Sequence, residues 1–152
     1  MNILYEDQKA RFATLPRNGG LILNNASPIA AAGNNANFFD IITAGAYGSL
    51  VTVAFCINTD TINILTLLGI LKGGVLYHQN TYTVPLRSGD NGTAVPYNLL
   101  NNTVAQAYDT GTNGHYYIKL AAGETLRGGT GTAITAGKML QFFVSVYDFA
   151  AP

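Results

Sequence analysis

The chain has 152 residues, enough for one domain that buries about two-thirds of its unfolded surface and too few for two ordinary ones. Eight Lys+Arg balance eight Asp+Glu, and a charged fraction of 11% is less than half of the usual ~25%, so electrostatics is not expected to be the main means of recognition. With 48% hydrophobic residues and 17 glycines, the surface must be built from amides, hydroxyls and small apolar groups, a composition that predicts partial burial against other subunits.

Residues 1–19 carry Glu6, Asp7, Lys9, Arg11 and Arg17 and end at Pro16-Arg17-Asn18-Gly19-Gly20, where the strand pattern starts. Ile3, Leu4, Tyr5, Phe12 and Leu15 give this segment apolar anchors that a solvated tail lacks, so it is expected to be an arm that docks on a neighbour. It has no cationic start followed by an apolar stretch and a cleavage site, so no secretory signal is expected.

Beyond it, strands are predicted at 20–24, 38–43, 49–57, 62–71, 74–78, 81–86, 115–120, 131–135 and 139–149. In "SLVTVAFCI" the period of two places Val51, Val53, Phe55 and Ile57 on one face and Leu50, Thr52, Ala54 and Cys56 on the other. Both faces are apolar, the pattern of a strand covered on both sides. "INILTLLGIL" is too short to cross a bilayer. "HYYIKL" predicts Tyr116, Ile118 and Leu120 inward, and "MLQFFVSVYDF" alternates Leu140, Phe142, Val144 and Val146 with Met139, Gln141, Phe143, Ser145 and Tyr147. Helical turns are confined to "YEDQKARFATL" and to "YNLLNNTVAQAY" at 97–108. Gly/Asn/Asp clusters separate the strands, and Ala-Gly recurs before a strand at Gly45, Gly123 and Gly137, where glycine supplies the positive φ of a tight turn. The predicted fold is all-β, a single-domain antiparallel β-sandwich or jelly-roll-like barrel over 20–152, with an extended N-terminal arm over 1–19.

Chemistry-bearing motifs fail in turn. "GGTGTAITAGKML" (128–140) offers glycines, threonines and a Gly-Lys pair, but Gly131 to Gly137 encloses five residues instead of four, Met139 replaces the hydroxyl and a strand follows instead of a helix. His78 and His115 lack metal-pair spacing, and no Gly-x-Ser-x-Gly elbow occurs. Cys56 reads as a small buried hydrophobe. The eight cations Lys9, Arg11, Arg17, Lys72, Arg87, Lys119, Arg127 and Lys138 form no stripe, so nucleic acid is not an expected partner. No catalytic, cofactor-binding or metal residues are assigned, and neither enzyme activity nor a membrane association is expected.

The segment "YYIKLAAGETLRGGTGTAITAGKMLQFFVSVYDF", with its strand, Ala-Gly-Glu turn, threonine-rich stretch, second Ala-Gly turn and final aromatic strand, resembles small decoration (cement) proteins of tailed-bacteriophage capsids. The resemblance implies a structural virion protein, made in the host cytoplasm and seated on the outer capsid surface. It would form a homotrimer that binds and stabilises the shell of the major capsid protein. It also implies capsid contacts through the arm, at Ile3, Leu4, Tyr5, Arg11, Phe12, Leu15 and Arg17. The alternative is a tail-fibre or tail-tip module that binds a host glycan through Tyr and Asn in loops at 78–82, 89–98 and 108–116.

Overall fold

The computed structural model describes residues 15–32, 34–90, 94–100, 109–110 and 116–151. Ten strands run in chain order: β1 (Leu15–Asn24), β2 (Phe39–Thr43), β3 (Ser49–Asn58), β4 (Ile64–Lys72), β5 (Val75–Val84), β6 (Tyr97–Asn98), β7 (Asp109–Thr110), β8 (Tyr116–Leu120), β9 (Thr125–Thr130) and β10 (Met139–Asp148). They form two antiparallel sheets packed as a sandwich. One has the order β1-β10-β3-β8-β7, with β6 also on β3; the other has the order β2-β9-β4-β5. The pairs β1–β10, β2–β9, β3–β8 and β4–β5 are nested, so the chain is a long hairpin wrapped over itself, the topology of a jelly roll. The innermost turn is Gly73-Gly74, with φ of 56° and 80°, between the paired Lys72 and Val75; positive φ at both positions favours glycine.

The core lies between the sheets. Leu23, Val51, Ala54, Cys56, Ile118, Leu120, Leu140, Phe142, Val144 and Val146 meet Ile42, Ile64, Leu68, Ile70, Tyr82, Val84 and Leu126 from the facing sheet. Phe142, the largest of the fully buried side chains, fits because Gly128 lies opposite: a Cβ there would stand 2.9 Å from the ring.

The all-β sandwich agrees with the sequence, but several details differ. The 19/20 boundary falls inside β1, so residues 15–19, including Leu15 and Arg17, are strand and not arm. Residues 1–14, with Ile3, Leu4, Tyr5, Arg11 and Phe12, lie outside the described residues. The strand expected at 131–135 is replaced by β9 at Thr125–Thr130, whose paired glycines hide it from propensity. The two strands expected at 74–78 and 81–86 are one strand, β5. Tyr97–Asn98, expected to open a helical turn, pairs with β3; residues 101–108 lie outside the described residues.

The faces of β3 also differ from simple alternation. The register against β10 slips between Ser145 and Val146, so Thr52 and Val53 stand in a bulge opposite one step of the partner. Past the bulge the faces exchange. Val51, Ala54 and Cys56 point into the core, while Leu50, Thr52, Val53, Phe55 and Ile57 point out.

Candidate interaction surface

Each sheet has an outer face, and the two are treated differently by the chain. Over the four-stranded sheet the β1–β2 connection folds back as a cover. Ala30 and Phe38 bury Leu67 of β4, with Leu76 beside them, and the Ala30 N–H donates to Thr130 O at 2.7 Å. Gly129 makes this possible, since a Cβ there would stand 2.7 Å from that of Ala30. Arg127 on β9 secures the cover with a 2.6 Å hydrogen bond from Nη1 to Asn35 Oδ1. Its Nε lies 2.7 Å from Asp40 Oδ1 as an ion pair, out of line for a hydrogen bond.

Among the described residues, none forms such a cover over the outer face of β1, β10 and β3. Its cross-strand rows are Ile22–Gln141–Ile57, Gly20–Phe143–Phe55, Asn18–Ser145–Val53 and Pro16–Tyr147–Leu50, with Met139 beside Asn24 at one end. At the centre the Phe55 and Phe143 rings stack with centroids 4.9 Å apart. Around them Ile22, Val53, Met139 and Tyr147 are 59%, 41%, 38% and 41% exposed, grouped on one face. Among the described residues in these rows none is charged; the polar ones are amides and hydroxyls, and Ser145 Oγ hydrogen-bonds Asn18 Oδ1 at 2.8 Å. Lys119 of β8, paired with Leu50, marks the rim.

At one end of this face, Arg17 and Asp148 join the edge strand to the sandwich. Arg17 Nη2 donates to Asp148 Oδ1 at 2.7 Å and to Thr43 O at 2.9 Å, and Nε donates to Asp148 Oδ2. Ser49 Oγ donates to the same carboxylate at 2.5 Å and accepts from the Gly45 N–H at 2.9 Å. The Arg17 guanidinium, outweighing partial burial, and then Ser49 hold Asp148 below the usual carboxylate range. Arg17, expected to be a capsid contact, pairs with Asp148 within its own fold, with its side chain 40% exposed. Gly45 does not carry the positive φ expected of it. Its role is close approach, because a Cβ would meet the Asp148 carboxyl carbon at 2.8 Å, while Gly123 and Gly137 do adopt φ of 78° and 75°.

The loop that looked like a phosphate cradle is explained by a second carboxylate. Asp60 is fully buried; burial works against its charge, but N–H groups of Thr135 and Thr61, each at 2.7 Å, and the Thr135 hydroxyl lower its pKa. Asn58, also fully buried, donates to Ile62 O and Pro85 O at 3.0 Å each and accepts from the Asp60 N–H at 2.8 Å. Residues 131–138 therefore form the β9–β10 connection, pinned by Thr135 to the turn after β3.

A shallow groove of about 330 Å³ is lined by Pro85, Ser88, Val95, Pro96, Tyr97 and Asn98. It falls in one of the loops expected to bind a glycan. Of the other two, 78–82 is the interior of β5, with Tyr82 buried in the core, and most of 108–116 lies outside the described residues. Cys56 is fully buried, and burial pushes its thiol well up. His78 stands within β5 and His115 lies outside the described residues. Among the described residues no three His, Cys, Asp or Glu side chains gather where a metal ion would sit, and no helix is long and apolar enough to cross a membrane.

The uncovered face was partly visible in the sequence, since both faces of 49–57 and 139–147 are apolar. What alternation could not give is which set points outward past the bulge. The chain matches no protein-family model, no curated protein and no solved structure.

Proposed function

We propose that this chain is a non-enzymatic structural virion protein, a decoration protein that assembles as a homo-oligomer, a trimer by the resemblance, and stabilises a phage capsid by binding its major capsid protein. The observation that supports this best is the uncharged apolar outer face of β1, β10 and β3, a surface suited to permanent contact. A neutral surface also lets many copies crowd on one shell without mutual repulsion. Jelly rolls serve in viral shells and also in sugar-binding domains, so the fold admits the reading without deciding it.

The test is co-sedimentation of the full chain, and of a chain lacking residues 1–14, with expanded shells of the corresponding capsid protein. The full chain is expected to sediment with the shells. The truncated chain keeps β1 and the Arg17–Asp148 pair, and is expected to stay folded and lose attachment. A full chain that stays in the supernatant at saturating shell concentration overturns the proposal. The groove beside Tyr97 and Asn98 favours a second reading, a glycan-binding tail module. A specific glycan-array signal abolished by Tyr97→Ala would replace the first reading with this one.

A further inference from the structure

The oligomer of the proposed function needs a contact surface, and the inference here rests on that reading and supplies one. We infer that the outer face of β1, β10 and β3, centred on the Phe55–Phe143 stack, is covered by a second copy of this chain.

Three observations select the occupant. The first is chemical. The described residues in the rows from Pro16–Tyr147–Leu50 to Ile22–Gln141–Ile57 carry no charge: Phe, Tyr, Leu, Ile and Val stand beside Asn, Gln and Ser, with one Pro and one Gly on β1. A charged partner would lose solvation against this face and find no counter-ion. A copy of the same face, or of another face of this chain with its eight positive and eight negative residues dispersed over 152 positions, brings no such cost.

The second observation is size. Three strands of 10 residues each, at about 4.8 Å spacing and about 3.4 Å rise, give a plan area on the order of 500 Å². Side-chain relief and the neighbouring β8 raise the accessible area towards the roughly 800 Å² per partner of a stable interface. The face is therefore the right size for one subunit contact.

The third is the contrast between the faces. The chain covers the outer side of β4 and β9 with its own residues Ala30 and Phe38, and locks that cover with Arg127. On the other side the bulge at Thr52–Val53 turns Val53, Phe55 and Ile57 outward together, and leaves Val53 41% exposed. β3 and β10 have the composition of strands buried on both sides, and the described residues of one copy bury only one side.

The test measures the mass of the full chain by light scattering after gel filtration, for the unaltered protein and for Val53→Glu, Tyr147→Lys and Val75→Glu. Val75 is 61% exposed at the β4–β5 turn, away from the face, and serves as the control. The unaltered chain and Val75→Glu are expected at the same multiple of 16.1 kDa, with Val53→Glu and Tyr147→Lys at or near one chain and with unchanged β-sheet circular dichroism. An unaltered chain that runs as a single copy, or face variants that keep the full mass, overturn the inference. So does unchanged mass with lost shell binding, which would give the face to the capsid protein. Reduced mass with shell binding retained supports it, and failed shell binding by an intact oligomer sinks the capsid reading alone.

Should the charged variants not fold, Val53→Cys and Val75→Cys replace them, since Cys56 is fully buried and silent towards a neutral thiol reagent. Val53→Cys is expected to react several-fold more slowly than Val75→Cys in the assembled protein. Equal rates overturn the inference.

Discussion

Asp60 shows how much of this fold depends on single polar groups. Its carboxylate is fully buried, and its charge is met by N–H groups of Thr135 and Thr61. Asp148 is met by Arg17 and Ser49. Both groups have folded pKa values below the ordinary one, so each binds its proton more weakly in the folded chain than in the unfolded chain. Their stabilisation is therefore fully present above the unfolded carboxylate value of about 3.9 and is lost as pH falls through the lowered folded values. Urea midpoints are expected to be flat near neutral pH and to fall below about pH 4. Asp60→Ala is expected to cost about 1–3 kcal/mol at pH 7, because the N–H groups it leaves behind stay buried, and to reduce the acid sensitivity. An acid limb as steep in Asp60→Ala as in the unaltered chain would remove Asp60 from this account.

At the scale of the element, β9 shows what the sequence conceals. "TLRGGT" has two adjacent glycines and reads as a turn, yet it is a central strand between β2 and β4. The glycines are present because side chains from elsewhere occupy their Cβ space: Phe142 at Gly128 and Ala30 at Gly129. Gly128→Ala is expected to destabilise by about 1–3 kcal/mol through overpacking against Phe142 and Ile41, measurable as a lower urea midpoint with unchanged slope. An unchanged midpoint would mean that the sheets separate there at no cost.

The same logic separates what was legible from what was not. β10 was legible because Leu140, Phe142, Val144 and Val146 alternate without interruption and all point inward. β3 was legible as a strand but not in its facing, since a bulge depends on the partner's register and leaves no mark in composition. Arg17 read as an arm residue and a capsid contact, and its pairing with Asp148 was not legible because the two are 131 positions apart. The failure of 128–140 as a phosphate loop was legible from spacing alone; the pinning of Thr135 by Asp60 was not, because it bridges 75 positions.

The whole molecule is a two-faced object. One sheet is partly covered by the β1–β2 connection, over Leu67 and Leu76, while among the described residues the other presents an uncharged apolar surface, so the two outer faces differ before any partner arrives. The nested pairing also brings distant parts of the chain side by side, with β1 against β10 along their full length from Leu15–Asp148 to Asn24–Met139.

That pairing has a mechanical consequence. A pull applied through residue 15 and residue 148 enters at one end of a single ladder, along the direction of its hydrogen bonds, so it opens one rung at a time and not all ten registered pairs together. The Arg17–Asp148 pair is the first latch in the path. Single-molecule force spectroscopy with handles at these two positions is expected to record a low peeling force that drops further in Asp148→Asn, and handles at Leu15 and Met139, at opposite ends of the ladder, a much higher shearing force. Equal forces in the two geometries would refute the unzipping picture. A chain paired this way is expected to resist a load along the β1–β10 ladder and to yield to one applied across residues 15 and 148, with β1 leaving before the other strands.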